Sequence, residues 1–352
     1  MKAGVITRVD GKPGEVYYPY SVVDIPQPTP GPDELLIKIH GAALNHRDLF
    51  IRQHLYPGTT WNVPLLADGV GTVVGVGSQE LEGWKGKKVL IPPGKGWASD
   101  PSGPEESYAV LGGTKHWPNG TLQEYATFSA AEVEECPVHL STPEAAALPL
   151  CGTTAYRAVF NKGQIKAGQN VLITGIGGGV ALAALQFACA AGATVFVTSS
   201  SAEKIRSAKE LGASAGVNYK SPEWEKDLQK MLPKSRPYLD LVVDGAGGDI
   251  VQRSVSLLKK GGIIVSYGMT LGPLVPFTMT AVLKNIELRG TTMGSRKEFH
   301  DMVSFVRLKQ IRPVISTTTR GFESVDELFE IMRSGKQFGK LVVLLGNDQA
   351  KL

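Results

Sequence analysis

The sequence predicts an α/β protein built on a doubly wound parallel sheet, joined to a second region rich in β-structure. Three observations carry this. From residue 141 onward, short Val/Ile/Leu runs alternate with helical patterns, as expected of strands buried on both faces and linked by crossover helices. One strand-to-helix junction, VLITGIGGGVALAALQFA, is crowded with glycine. Residues 1–142, by contrast, hold short β-branched or apolar runs bounded by Pro, Gly or Asp.

The elements follow in order. A chain of 352 residues suggests more than one core. The change of pattern divides it into 1–142 with 295–352, and 143–294. In the first part MKAGVIT, SVVDI, ELLIKIHGAAL and GTVVGVG read as strands, and residues 92–119 as a long irregular loop. STPEAAALPLCGTTAYRAVF opens like a helix, with a Ser or Thr cap, then Pro and Glu in the first turn. QNVLITG, TVFVTSS, GVNY, LDLVVDGAG, GGIIVSYG and IELRGTTM are six strands, which suits the two-halved dinucleotide fold. Residues 180–191 and AEKIRSAKELG are helices between them. The tail holds amphipathic helices near 296–308 and 324–334 and a strand at 340–345, and is expected to return to the first domain.

Composition excludes several classes. With 42% hydrophobic and 20% charged residues the chain is neither disordered nor fibrous. A net charge of +4 is too small to argue for nucleic acid. Cys136, Cys151 and Cys189 are odd in number and widely spaced, which speaks against a disulfide framework and for a reducing, cytoplasmic compartment. No run reaches the ~20 apolar residues of a membrane helix. The C-terminal Ala350-Lys351-Leu352 is one residue from the Ser-Lys-Leu peroxisomal address, a second compartment if the tail is exposed.

The glycine junction has a direct physical reading. Without Cβ atoms at Gly175, Gly178 and Gly179, the backbone can approach a pyrophosphate. The helix opening at Val180 offers free N–H groups and a positive dipole end. Ala181 is the small residue that lets helix and strand pack closely. NAD sites usually carry an acid about 20 residues on, at the end of the second strand. Here that stretch is Thr198, Ser199, Ser200 and Ser201, with Lys204 close behind and Tyr219 ending the third strand. Hydroxyls and a cation suit a 2′-phosphate, so NADPH is expected.

A metal site is not legible. Catalytic zinc needs three protein ligands and structural zinc four. The loop 92–119 has no cysteine and one histidine, His116. His40, His46 and His54 are neighbours in sequence with no second cluster to join them. Cys151 reads as a small buried residue.

PTPGPDELLIKI, ADGVGTVVGVG, LCGTTAYRAV, the glycine turn, VVDGAGG, GGIIVSYGMT and FGKLVV occur in the order of the medium-chain dehydrogenase/reductase superfamily. The chain resembles it over nearly its full length, and most of all its zinc-free quinone-reductase-like branch. The resemblance implies a GroES-like catalytic domain beside a Rossmann domain. The catalytic zinc positions of the alcohol dehydrogenases fall at Asn45, Ala67 and Leu150, with their Gly-His-Glu at Leu66, Ala67 and Asp68; no ligand set survives. The branch pattern is met at Asn45, Asp48, Arg52, Tyr56 and Pro57, with His54 where glycine is common. The likeness implies Asn45 at the nicotinamide end and, from related enoyl reductases, Tyr56 as proton donor. It also implies cofactor contacts from Thr154, Ser200, Lys204, Tyr219, Gly245, Ala246, Tyr267, Met269 and Lys340. Asp48 and Arg52 are expected to form an ion pair holding their loop.

Without a metal, the easier hydride acceptors are conjugated: enones, enals, enoyl thioesters or quinones. Three functions stay open: an NADPH-dependent enone or enoyl reductase, a quinone reductase, or an NADPH-binding structural or sensor protein with little turnover. A homodimer is expected, because IELRGTTM would leave an exposed apolar sheet edge in a monomer.

Overall fold

A computed structural model describes residues 1–272 and 274–346; the C-terminal tripeptide lies outside them. The chain divides into two compact units, Met1–Leu150 with Ser295–Leu352, and Cys151–Gly294.

The second unit is the doubly wound sheet. Its six strands are Asn170–Ile173, Thr194–Ser199, Ala215–Asn218, Leu239–Asp244, Leu258–Ser266 and Glu287–Gly290, all parallel to their neighbours. Numbered in that order, they lie across the sheet as 3-2-1-4-5-6, with Glu287–Gly290 at one edge. The central strands are apolar throughout because helices cover both faces: Val171, Leu172, Ile173, Val242 and Val243 are wholly buried. Trimming one of them, as in Leu172→Ala, would cost about 2–5 kcal/mol. The helix Gly179–Ala190 begins at the glycine turn.

The first unit is built on a sheet whose order runs Ile315–Arg320, Lys340–Leu344, Glu34–Ala43, Asp68–Val76, Lys88–Leu90, Glu134–Glu135. Tyr125–Ser129 pairs with the other stretch of Glu34–Ala43. The tail supplies this unit with two strands and the helices Arg296–Lys309 and Val325–Ser334. Ile315–Arg320 had no strand signal because its residues, ISTTTR, are polar and alternate between half-buried and exposed at a sheet edge. Residues 92–119 are irregular except for the small ribbon Gly94–Lys95 with Ala109–Val110.

Ser141 caps the helix Thr142–Ala147 as its sequence predicts, exchanging bonds with Glu144. The helical run is not continuous, however. Pro149 has no N–H to donate, and the chain restarts as Pro149–Tyr156, followed by a wider π-type turn over Arg157–Lys162. The three cysteines are free thiols, Cys151 buried as expected.

Candidate functional site

In the second unit the glycine junction is an open turn. Gly175 has φ +62°, Gly177 has φ +137°, and Gly178 caps the following helix with extended backbone. A Cβ at Gly175 or Gly178 would meet nothing, so the space beside both is free for a ligand. At Gly177 a Cβ would lie 3.1 Å from Cδ of Lys204 and 3.4 Å from its Nζ. The Lys204 side chain thus lies over the turn. Val180 is half-buried in the first turn of the helix, and Ala181 after it is buried.

The neighbouring strand is tied to the turn. Gly175 N donates to Thr198 Oγ1 at 3.1 Å and Ile176 N to the Thr198 carbonyl at 2.8 Å. Ser199 is buried, Ser200 exposed, and Ser201 caps the helix that carries Lys204. Tyr219 N donates to the Ser199 carbonyl at 3.3 Å, which brings the tyrosine beside the serines. Burial holds the Lys204 ammonium below the usual lysine range.

The fourth strand ends on Asp244, wholly buried, whose carboxyl burial pushes above the usual range. It accepts from Thr174 Oγ1 at 2.6 Å, Gly247 N at 2.8 Å and Ala246 N at 3.2 Å, and so shapes the Gly245–Ala246 loop. Tyr267 crosses Gly245 so closely that a Cβ there would come within 2.5 Å of its hydroxyl. Leu271 N donates to the Ala246 carbonyl, and Met269 stands exposed between these segments. Thr154 is buried with its hydroxyl directed at Met293 Sδ, 3.7 Å away. Thr174 and Asp244 were not singled out in the sequence, although VVDGAGG contains the aspartate.

In the first unit, strand register assembles a second constellation. Ala43 lies opposite Asp68 on one side and Val342 on the other. Leu44 N donates to the Leu341 carbonyl, so the same register carries on to bring Asn45 against Lys340. Lys340 Nζ donates to Asp68 Oδ2 and to Asn45 Oδ1, both at 2.6 Å. Asn45 Nδ2 donates to Asp68 Oδ2 at 2.8 Å, and the amide of Leu150 to Asp68 Oδ1 at 2.6 Å. Every member is buried.

The cluster continues to Tyr56. Asp48 closes a capping box at the start of the helix His46–Arg52, accepting from Asn45 N at 2.8 Å. Its other oxygen accepts from Arg47 Nη1 at 2.9 Å. The Arg47 guanidinium also binds the carbonyls of Leu111 and Gly112 and lies over the Tyr56 ring. The expected Asp48–Arg52 pair is not formed. Arg52 turns the other way, to Asp326 Oδ1 at 2.5 Å and the Tyr18 carbonyl, while Arg47 takes the aspartate. His54 at φ +55° and Leu66 at φ +66° keep a left-handed backbone that would be relaxed with glycine, so the backbone accounts for a glycine at these places and not for its replacement here. Tyr18 donates or accepts through its hydroxyl at Nδ1 of His54, which fixes that turn.

An open phosphate turn on a 3-2-1-4-5-6 sheet, in a chain whose other unit holds a buried polar cluster, defines an NAD(P)-binding oxidoreductase. Residues 31–138 match the family "Alcohol dehydrogenase GroES-like domain" and residues 179–307 "Zinc-binding dehydrogenase". A zinc-type alcohol dehydrogenase-like protein of Leptosphaeria maculans is 51% identical over 347 residues, covering 94% of this chain and 96% of the relative. An acryloyl-coenzyme A reductase of Sulfurisphaera tokodaii is 29% identical over 332 residues, covering 92% and 96%. The crystal structure of an NAD-dependent alcohol dehydrogenase superposes with a TM-score of 0.84 at 31% identity, over 98% of this chain and all of that one. The chain belongs to the medium-chain dehydrogenase/reductase superfamily.

The two groups that this membership implies fare differently. The nucleotide fits, because the turn is open and the strand ends beside it are polar. Zinc does not fit. Its three family positions hold an amide, a methyl and an isobutyl group, at Asn45, Ala67 and Leu150, and the Lys340 ammonium lies among the polar atoms there. Among the described residues no group of three or more His, Cys, Asp or Glu is arranged to hold a metal ion.

Proposed function

We propose that this chain is a zinc-independent, NADPH-dependent reductase of conjugated carbonyl compounds: enones, enals or enoyl thioesters. The observation that carries the reading is the buried Asn45–Asp68–Lys340 cluster, in which Asn45 stands at one of the three positions, with Ala67 and Leu150, where the resemblance puts the family's metal ligands. Without a Lewis acid to polarise an alcohol or simple ketone, a conjugated acceptor is the easier partner. The acryloyl-coenzyme A reductase among the relatives supports an enoyl thioester in particular.

When bound, NADPH supplies the hydride; the protein binds, orients and shields. In the second unit Gly175, Gly178, Gly179, Val180 and Ala181 would hold the pyrophosphate. Ser199, Ser200 and Lys204 would take the 2′-phosphate, where an acid would repel it, and Tyr219, Gly245, Ala246, Tyr267, Met269 and Thr154 would complete the contact. In the first unit Asn45 and Lys340 are the cofactor-facing residues. Charge develops on the carbonyl oxygen of a conjugated acceptor, and hydrogen-bond donors in a dry site stabilise it. The Tyr56 hydroxyl is the proton donor for the adjacent carbon or oxygen. The functional molecule is a homodimer joined along the Glu287–Gly290 edge.

The test is NADPH oxidation against a panel of enones, enoyl thioesters and quinones, with NADH in parallel. Turnover of conjugated carbonyls with NADPH preferred is expected. Turnover of quinones alone would move the reading to a quinone reductase. Tight NADPH binding with no acceptor consumed would leave a binding protein instead.

A further inference from the structure

Asp244 is wholly buried, and among the described residues no cation pairs with it. Such a charge is costly unless hydrogen bonds hold it. Its donors come from two places. Thr174 Oγ1, at 2.6 Å, belongs to the end of the first strand of the doubly wound sheet. The amides of Ala246 and Gly247, at 3.2 and 2.8 Å, belong to the loop after the fourth strand. The Thr174 hydroxyl in turn accepts from Gly245 N at 3.2 Å, which closes the link from both sides. The first and fourth strands are neighbours at the point where the 3-2-1-4-5-6 order reverses. An open α/β sheet takes its ligand in the crevice outside the carboxyl ends of the strands at that point.

We infer that the Asp244–Thr174 pair is a positioning device for the nucleotide, a buried strut that sets the gap between the phosphate turn and the Gly245–Gly247 loop. The inference rests on the reading of these segments as the nucleotide's seat. Strand pairing alone does not fix the gap. Its last rung here is the bond from Thr174 N to the Val243 carbonyl, and beyond it the two chains part. Gly175 and Ile176 bond toward the second strand, through Thr198. The other segment bonds toward the fifth: Tyr267 N donates to the Asp244 carbonyl at 2.9 Å and Leu271 N to the Ala246 carbonyl at 2.8 Å. The two walls are therefore held by opposite neighbours, and the carboxylate with its hydroxyl spans the opening between them. Nothing packs where a Cβ of Gly175 would stand, so the turn has no side-chain buttress of its own at that residue. A gap fixed beforehand lowers the ordering cost of binding. Asp244 acts through the loops that it holds, so it is a positioning residue and not a catalytic one.

The test is fluorescence titration of NADPH and NADH, with melting curves alongside. Asp244→Asn keeps the shape but turns an N–H toward one of the former donors. Thr174→Val keeps the volume and removes the hydroxyl. Each is expected to weaken both nucleotides alike, by about 10-fold, because a charge-assisted bond is lost at a gap that both nucleotides use. Thr174→Ser, which restores the hydroxyl, is expected to recover most of that loss. Leu228→Ala, in the buried core of the same unit, is expected to lower the melting temperature without it. A loss below ~3-fold in Thr174→Val, a serine as weak as the valine, or an equal loss in Leu228→Ala overturns the inference. Should Asp244→Asn not fold, the valine and serine variants decide. A wild type that binds NADH as tightly as NADPH, or reduces no conjugated carbonyl, would sink the proposed function and leave this contrast intact. Loss of the contrast with NADPH-dependent turnover intact would sink the strut alone.

Discussion

The guanidinium carbon of Arg47 sits 4.6 Å from the centroid of the Tyr56 ring. The tyrosine is therefore held by its ring face, against a cation that is itself anchored to Asp48, Leu111 and Gly112. Removing the hydroxyl should leave that contact intact. Tyr56→Phe is expected to change stability by less than ~1 kcal/mol. If the hydroxyl delivers the proton, enone reduction should fall about 10²-fold, while quinone reduction, which has no enforced protonation site, stays near wild type. Melting curves and steady-state NADPH oxidation measure both. Equal loss with enone and quinone would remove Tyr56 from the proton step.

Arg52 makes a sharper stability prediction. Its side chain is 4% exposed, whereas that of its partner Asp326 is 56% exposed. The guanidinium also lies over Tyr17 and Phe329, at 4.1 and 4.6 Å. Most of its worth should be stacking and the bond to the Tyr18 carbonyl, not the half-solvated ion pair. Arg52→Met is expected to cost about 2–3 kcal/mol, and Asp326→Ala only about 1 kcal/mol. Urea unfolding of both would decide. Equal losses would mean that the ion pair is the dominant contribution.

That comparison shows where sequence reading fails. Asp48 and Arg52 are one helical turn apart, so spacing alone favours their pairing. Spacing cannot see that Arg52 points at a helix 274 residues later, or that Arg47 is drawn to the same acid by the carbonyls of Leu111 and Gly112. The second unit was legible because its signals are local: apolar strands, alternating helices and one glycine turn. The first unit depends on register between strands distant in sequence, and nothing in FGKLVV says that Lys340 will meet Asp68. Polar edge strands such as Ile315–Arg320 give no apolar run to read.

The nucleotide preference should reside in Lys204. Its side chain covers the glycine turn, and the residues at the end of the second strand beside it carry no acid. Lys204→Ala is expected to weaken NADPH binding about 10–100-fold and NADH binding less than ~3-fold. The pH dependence has a defined sign. Burial depresses the Lys204 ammonium in the free protein, and a bound 2′-phosphate would restore it. NADPH binding therefore takes up a proton above the depressed value and weakens as pH rises into the alkaline range, while NADH binding stays flat. The free protein's own contribution runs oppositely: the depressed amine disfavours the folded state at low pH and ceases to do so as pH rises. Fluorescence titration of both nucleotides across pH measures it. Parallel slopes for the two would exclude Lys204 as the 2′-phosphate contact.

The sheet edge predicts an assembly. Glu287–Gly290 closes the six-stranded sheet with one side unpaired by any other described strand. Nearby in sequence, Leu271, Leu274, Met279 and Leu283 are 68–78% exposed, an unusual density of large apolar side chains at a surface. A second copy related by a two-fold axis would pair edge with edge and cover these residues at once, because such an interface uses the same patch on both chains. Sedimentation at micromolar concentration should give the mass of two chains. Leu274→Glu with Leu283→Glu should give one, by placing like charges on a face that must become dry. Because these residues lie away from the glycine turn in sequence, NADPH binding by the dissociated variant is expected within ~3-fold of wild type. A wild type that sediments as a single chain would leave the exposed leucines needing another partner.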